Sequence, residues 1–479
     1  MKRWLKVAIG VGVVAVILAV AALFVVWRLG ADESEPDATF LAGGPAAEIP
    51  DEQNAFFWLK EGARKAVPAS KCMPGEAVGS GEGLPPQDKN QALQEVADAA
   101  SARLAAALSG EKWDGAFITA FLDANRESLA DFDRALGAPG IRVPVVLSYA
   151  DGFRIGSMVV DLLAARAHDK ARRGSPADGM EGALSIVELG RRWETGLGSY
   201  TSYTHGNAIK QYGLSCVLNV SRVADFKSEQ LVAAVRRLKT CGVSEEAFRV
   251  SLREQCRIGL CMTDVMLRGQ VTLADIGPST LSPGGEIVPL WPSQKIRAGS
   301  MFKPNQVTRW MIEWHRQIAD QAATPYNAYV PPELPAKPEG IVQVLVLGNF
   351  CGRMLCTIQL AATEDAIRGK CMENVALAGT RLCLAIRAYR LDKGSLPKTL
   401  DDLVPVYIDA VPADDFDGRP MRYDPDRKVV YSVGVDLKDS GGMTKEDIDA
   451  WWKEDDPSAA AGFRPVSIRM PDISWDVGF

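Results

Sequence analysis

The feature that most constrains this chain is an uninterrupted apolar segment near its beginning, from residue 7 to residue 27. It contains no charged or strongly polar side chain, and a helix of this length spans about 30 Å, the thickness of the hydrocarbon core of a bilayer. Lys2, Arg3 and Lys6 precede it, whereas an acidic run follows it. Positive charge on the short leading side places the N-terminus in the cytoplasm. The sequence therefore predicts a single-pass cell-membrane anchor, with the bulk of the chain in the periplasm or outside the cell.

A cleaved signal peptide is the alternative interpretation of the same segment. The apolar core of a signal peptide is normally about 7–15 residues long and is followed by small residues at the cleavage site. Here the core is longer, and it ends in the tetrapeptide Val25–Arg28, which lacks such residues. We therefore assign residues 1–29 to a cytoplasmic tail and transmembrane anchor, and residues 30–49 to a tether.

Composition limits what the rest of the chain can be. With 479 residues, 47% of them hydrophobic, the chain can bury a large core and is expected to hold more than one domain. The formal net charge of -6 argues against a general nucleic-acid binder. Nine cysteines, an odd number at scattered positions, favour buried free thiols over a disulfide scaffold. With three histidines, a zinc site is not expected.

Helical periodicity dominates residues 50–328, which we predict to form a helical domain. Three serines there precede patterns that are typical of helices. They are Ser175, followed by Ile186, Leu189 and Trp193; Ser228, followed by Leu231, Val235 and Leu238; and Ser244, followed by Glu245 and Glu246 in the first turn. Because apolar stripes need partners, we expect these helices to pack in pairs. The proline-rich stretch 329–340 predicts a linker, and a connecting helix is expected to follow it.

The clearest pattern lies near the C-terminus. From Met372 to Tyr389, apolar residues recur at alternating spacings of three and four, which predicts one face of a long amphipathic helix. Gly394 supplies a stop signal, and Thr399 is placed to cap a short helix. Two short strands are then expected, at 421–423 and 429–433, joined by a turn. The expected result is a long helix over a small antiparallel sheet.

This C-terminal region resembles the C-terminal half of the major pseudopilin of type II secretion. The resemblance is carried by the runs AYRLDKGSLPKTLDDLVPVYIDAVPADDFDGRPMRY and VYSVGVDLKDSGG, and covers roughly residues 370–442. The matching residues are Tyr389, Asp392, Gly394, Pro397, Leu403, Val404, Gly418, Pro420, Tyr423, Tyr431, Ser432, Gly434 and Asp436. The resemblance implies a small α+β module within residues 341–479.

The same resemblance implies a calcium site in the loop after the last strand. Carried over, Asp436 and Asp439 would supply carboxylate ligands, a chemistry that suits calcium, which takes six to eight oxygens. Leu437 stands where the family has glycine. The alternative is that both aspartates hydrogen-bond the backbone of their own turn.

Other features depart from the pseudopilin pattern. The pseudopilin processing site is not found at this N-terminus, and hundreds of residues separate the anchor from the module. The whole chain is more similar to bacterial envelope proteins that place a helical region before a pseudopilin-like tail. The predicted fold class is thus mainly α: a transmembrane helix, a helical middle domain and the small C-terminal module.

The sequence carries no recognisable catalytic motif. His205 is the best single candidate for acid–base chemistry, His315 is expected at a surface or interface, and the pairs Asp401/Asp402 and Asp414/Asp415 are expected on surface turns. We therefore favour a non-enzymatic interaction or structural component of the cell envelope, with a secretion link implied by the resemblance. Two alternatives stay open: a hydrolase-like envelope enzyme built from distant residues, and a ligand-sensing helical domain.

Overall fold

The structure is a computed structural model that describes residues 16–17, 19–20, 31–42, 49–73, 86–144, 149–196, 198–267, 302–333, 335, 349–444, 447 and 473–477. It is mainly helical and contains a small three-stranded antiparallel sheet, which confirms the predicted fold class at that level. Most of the predicted anchor lies outside the described residues. Among the residues that are described, no helix has both the length and the apolar character needed to cross a bilayer.

The helices and strands are numbered here in chain order. The helices are α1 (Ala55–Lys65), α2 (Pro86–Leu108), α3 (Gly115–Ala124), α4 (Arg126–Gly137), α5 (Tyr149–Arg172), α6 (Pro176–Glu194), α7 (Tyr200–Val223), α8 (Ser228–Lys239), α9 (Glu245–Leu267), α10 (Pro304–Asp320), α11 (Phe350–Leu360) and α12 (Ala366–Lys393). The strands are β1 (Arg422–Asp424), β2 (Val429–Ser432) and β3 (Ile473–Asp476).

Two compact units divide the chain. Unit 1 comprises Met1–Pro45, Leu252–Asp320 and Val330–Asp365, and unit 2 comprises Ala46–Ser251, Gln321–Tyr329 and Ala366–Phe479. Each unit is built from three separate segments, and the division falls within α9. The domains predicted from the sequence follow chain order, whereas these units interleave along it.

Unit 1 is organised around α10 and α11, which pack on each other. The indole Nε1 of Trp314 in α10 donates a 3.0 Å hydrogen bond to the hydroxyl of Thr363, which follows α11. The guanidinium of Arg309, also in α10, binds the carboxylate of Glu33 at 2.7 Å and 3.0 Å. This ion pair fixes the acidic segment that follows the predicted anchor onto the unit.

Unit 2 has its most intimate helix contact between α6 and α7. Three glycines make this contact possible, and we call them the glycine seam: Gly190 in α6, with Gly206 and Gly213 in α7. A Cβ atom at Gly190 would lie 2.5 Å from the backbone nitrogen of Lys210, and one at Gly213 would lie 2.7 Å from that of Val187. The two backbones therefore approach more closely than any side chain would permit.

The predicted helix starts in unit 2 are largely correct. Ser175 is the N-cap residue of α6, and the hydroxyl of Ser244 accepts a hydrogen bond from the backbone of Ala247 at 3.2 Å. The prediction for Ser228 was wrong by one residue, because Lys227 is the N-cap of α8 and the Ser228 hydroxyl binds Asp392 instead. The apolar residues predicted to follow Ser175 and Ser228 are all buried.

The C-terminal part of unit 2 places α12 at its centre. This helix packs against α7 and α8 and against strands β2 and β3, so it is buried on nearly every side rather than on one face as predicted. It ends at Lys393, where Gly394 adopts a φ of +75°. The short helix Leu400–Leu403 that Thr399 caps is confirmed.

The sheet has the order β1-β2-β3, with both pairs antiparallel. Strands β1 and β2 confirm the predicted hairpin within one residue at each end. Strand β3 was not predicted. Its Trp475 pairs with Val430 and packs on α12 at Gly379, where a Cβ atom would come within 2.4 Å of the indole ring. The distant third strand is thus fitted to a small residue of the central helix.

Candidate functional site

His205, the predicted acid–base candidate, is a packed helix residue. It is 6% exposed, and its Nδ1 lies 2.7 Å from the carbonyl oxygen of Thr201 one turn earlier in α7. Its ring lies against Gly152 of α5, so closely that a Cβ there would come within 2.7 Å of the ring. The environment of His205 is therefore that of an interhelical contact.

The other two histidines are also buried. His315 was predicted at a surface or interface; the surface placement is wrong, because α10 turns this side chain into the core of unit 1, where Nδ1 bonds the carbonyl of Met311. His168 stacks on the ring of Trp113 in unit 2. Burial lowers the pKa of both His168 and His315 to about 4, so both rings are neutral at pH 7.

The two predicted calcium ligands lie in the loop after β2. Asp436 accepts a 3.0 Å hydrogen bond from the backbone two residues further on. Asp439 accepts hydrogen bonds from the hydroxyl of Tyr431 at 3.1 Å, from the backbone two residues further on at 3.1 Å, and from Arg422 at 3.3 Å. This arrangement fits hydrogen-bonded turns better than a calcium site. Within the described residues, no group of three or more histidine, cysteine or carboxylate side chains is placed to hold a metal ion.

Asp414 contradicts the prediction that it lies on a surface turn, since it is 0% exposed. It accepts hydrogen bonds from the hydroxyl of Ser432 at 2.8 Å and from the backbone of Val433 at 3.0 Å, and it pairs with Arg422 at 2.9 Å. The carboxylate is buried because it joins the turn before β1 to the end of β2. Its role is to hold these segments together.

The most unusual chemistry in unit 2 is a set of four ionisable side chains, which we call the buried ion cluster. It comprises Lys210 and Tyr203 from α7, Glu194 from the end of α6, and Glu373 from α12. Lys210 is 0% exposed, Glu373 1%, and Glu194 and Tyr203 3% each. The seven-residue spacing of Tyr203 and Lys210 puts both on one face of α7.

Hydrogen bonds connect every member of the cluster. The ammonium of Lys210 donates to Glu194 Oε2 at 2.7 Å, to the carbonyl oxygen of Cys241 at 3.3 Å, and to Glu373 Oε1. The hydroxyl of Tyr203 donates to Glu373 Oε2 at 2.9 Å. The three donors of the ammonium are therefore all used, as a buried lysine requires.

One lysine cannot neutralise two carboxylates, and the pKa shifts reflect this imbalance. Burial, together with the negative charge of Glu373, raises the pKa of Glu194 well above its usual value. Burial opposes the charge on Lys210, but the two glutamates still raise its pKa. Glu194 therefore holds its proton to a higher pH than an exposed glutamate does, and Lys210 contacts both carboxylates. The cluster is sealed from water, which suits a structural rather than a catalytic role.

Replacing Glu194 with glutamine tests this protonation state. Native Glu194 retains a proton that the unfolded chain loses above the usual pKa of 4.5, so unfolding releases a proton. The stability of the wild type therefore falls as the pH rises from 4.5 towards the raised pKa of the folded protein. Glutamine mimics the protonated acid and does not titrate. We expect the stability advantage of Glu194→Gln over wild type to grow by up to about 1.4 kcal/mol per pH unit above pH 4.5. Urea unfolding between pH 5 and pH 8 measures it.

Glu181→Gln, at an exposed position of the same helix, is the matched control for this experiment. Its stability should stay within about 1 kcal/mol of that of wild type across the pH range, because the ion pair that Glu181 forms with Arg237 is exposed. Parallel curves for Glu194→Gln and wild type would instead mean that Glu194 is ionised in the folded protein.

A second site lies on the surface of unit 2, and we call it the cationic cleft. It is a shallow surface depression whose cavity volume of about 10 Å³ has room for about one water molecule. Its walls are the last turn of α8, with Arg236 and Lys239, the middle of α12, with Arg381, and the segment Pro405–Asp409. Val406 in that segment is 61% exposed, so the rim of the cleft is apolar at one point.

The cleft has an excess of positive charge. Lys239 pairs with Asp409 at 2.6 Å, and this pair, together with the charges of Arg381 and Arg236, lowers the pKa of Asp409. One carboxylate therefore faces three cations. The Nε of Arg381 is buried and has no hydrogen-bond partner within the described part of the chain, and burial lowers the pKa of this guanidinium.

Neither site was found from the sequence, although the region of the buried ion cluster left two signals. Glu373 sits within the apolar pattern that begins at Met372, where a charge is unexpected. Gly206 and Gly213 recur after seven residues in α7, two turns apart on one helix face. His205, the acid–base candidate predicted from the sequence, is two residues from the buried Tyr203. The cleft residues are separated by well over a hundred positions and gave no local pattern.

Comparison of this chain with protein families, with characterised proteins and with solved structures finds no match.

Proposed function

We propose that this chain is a membrane-anchored protein of the cell envelope that acts by binding an acidic segment of a partner protein, without catalysing a reaction. The observation that carries the proposal is the cationic cleft. It is open to solvent and carries three cations against one carboxylate. Carboxylates are the natural partners of such a site, because charge-assisted hydrogen bonds to guanidinium are strong and directional.

The placement of this activity in the envelope rests on the sequence. The apolar segment 7–27 is long enough to span a bilayer, and the basic residues before it favour a cytoplasmic N-terminus. The proposal includes a pseudopilin-like C-terminal module, supported by the motif order in residues 370–442 and by the succession of long helix, short helix and hairpin. A secretion component would then be a natural partner.

The non-catalytic part of the proposal rests on where the reactive groups lie. Within the described residues, the three histidines and the buried ion cluster are enclosed by protein. In the cleft, Lys239 is paired with Asp409 and the hydroxyl of Tyr407 donates to Asp392, so neither is placed as a free nucleophile. Binding by such a surface needs charge and shape rather than proton transfer.

The test uses the full-length protein in intact cells, with a photo-cross-linking residue at Val406 on the rim of the cleft. We expect one specific partner with an acidic segment to be captured there. Combining Arg236→Glu with Arg381→Met should reduce its yield about tenfold or more, since each charged hydrogen bond contributes roughly 1.5–3 kcal/mol. Quantitative mass spectrometry of the captured protein is the readout.

Two matched controls define the outcome. The same cross-linker at Phe153, an exposed position on α5, should not capture that partner. Arg126→Glu, which removes an exposed arginine on α4, should leave the yield at Val406 unchanged. A yield that is insensitive to the two cleft substitutions, or a partner without an acidic segment, would refute the proposal.

A further inference from the structure

Arg422 lies where three segments of the C-terminal module meet. It begins strand β1, and its guanidinium is contacted by carboxylates from the turn before β1 and from the loop after β2. These carboxylates belong to Asp414, Asp417 and Asp439. We propose that Arg422 occupies the place of a metal ion, acting as a built-in cation that makes the module independent of calcium.

All three nitrogen atoms of the Arg422 guanidinium donate to carboxylates. Nη1 donates to Asp414 at 2.9 Å, Nη2 donates to Asp417, and Nε donates to Asp439 at 3.3 Å. The side chains of Arg422, Asp417 and Asp414 are 15%, 13% and 0% exposed, whereas Asp439, at 53%, closes the set on its solvent side. Planar, multidentate contacts of this kind are what distinguish arginine from lysine.

Each of the three carboxylates also accepts hydrogen bonds from hydroxyl or backbone groups, but these do not remove the repulsion among three like charges. Asp417 is three residues after Asp414, but Asp439 comes from the far side of the hairpin. Like charges brought this close repel one another unless a positive charge lies between them. A bound divalent cation is one solution to this problem, and a guanidinium is another.

The position of the loop supports this assignment. Asp439 faces Arg422 and also accepts a hydrogen bond from Tyr431 on β2, so this side chain helps to fix the loop to the sheet. Asp436, the other predicted calcium ligand, bonds the backbone of its own turn. The guanidinium of Arg422 is therefore the cation on the Asp439 side of the loop, where it lies next to Asp414 and Asp417.

The experiment measures thermal unfolding of the purified full-length protein in detergent, in calcium and in a chelator. We expect wild type to unfold at the same temperature in both. Arg422→Met should unfold several degrees lower in the chelator and regain part of the loss in about 10 mM calcium, above the roughly millimolar affinity of weak calcium sites. Terbium luminescence should report a new site in Arg422→Met and none in wild type.

Arg427→Met is the matched control, because Arg427 lies in the same hairpin but binds Asp447 and the carbonyl of Gly441. It should gain no calcium response. If Arg422→Met does not fold, refolding it in calcium should raise its yield, and Arg422→Lys, which keeps a cation, should fold without any calcium response. The proposal is overturned by a wild-type protein that calcium stabilises, or by an Arg422→Met protein that calcium neither binds nor rescues.

Discussion

Replacing Lys210 with methionine is expected to lower the free energy of unfolding by about 3–5 kcal/mol, the usual cost of removing one partner from a buried ion pair. The ammonium of Lys210 donates hydrogen bonds to Glu194, to Glu373 and to the carbonyl of Cys241. Neither glutamate is more than 3% exposed. Without the ammonium, Glu373 keeps the hydrogen bond from Tyr203 but loses its cation in a site that water does not reach. Urea unfolding at pH 7, followed by circular dichroism, measures the loss.

Lys239→Met is the matched control for this substitution, because it removes a lysine from an exposed ion pair with Asp409. Its cost should be within about 1 kcal/mol. Adding Glu373→Gln to Lys210→Met should recover part of the stability, since the remaining buried charge is then removed as well. A Lys210→Met protein as stable as Lys239→Met would contradict a charged buried cluster.

Gly190→Ala is expected to cost about 3 kcal/mol or more, although alanine is the better helix former by about 1 kcal/mol. The new methyl group would meet the backbone of Lys210 at 2.5 Å and that of Gly206 at 2.7 Å. Backbone atoms of two packed helices cannot move aside as a flexible side chain would, so α6 and α7 would have to separate. The midpoint of urea unfolding should fall accordingly.

Gly156→Ala provides the comparison, since Gly156 also faces α7 but has room for a methyl group. Its nearest neighbour would be the side chain of Ile209 at 3.6 Å, an ordinary van der Waals distance. We expect this variant to be as stable as wild type or more stable by up to about 1 kcal/mol. Equal effects of the two substitutions would mean that the glycine seam is not as tight as described.

Much of the secondary structure could be predicted because it follows from the spacing of apolar residues and from glycines close by in sequence. The stripe Ile186, Leu189 and Trp193 predicted α6, and the glycine at 394 marked the end of α12. The error at Ser228 arose because the helix begins one residue earlier, where the backbone N–H of Lys227 donates a 2.9 Å hydrogen bond to the side chain of Gln230. Local sequence patterns therefore predict helices and strands well, and their capping residues less well.

The sites were missed for a physical reason. The members of the buried ion cluster come from three helices, and Lys210 and Glu373 are 163 positions apart. A charged residue in an apolar stripe is normally taken as a break in the pattern, whereas here it has a partner that only the tertiary structure supplies. Strand β3 was missed similarly, because its partner β2 precedes it by some forty residues.

The central position of α12 has a consequence for how this protein is made. Unit 2 starts near residue 46 but needs α12 and the strands that follow it, so its helices wait until residues 366–476 have left the ribosome. Some of its bonds join residues far apart in sequence, such as Tyr203 and a residue 170 positions away. Until those residues emerge, the faces of α7 and α8 that α12 covers stay open and are prone to wrong contacts.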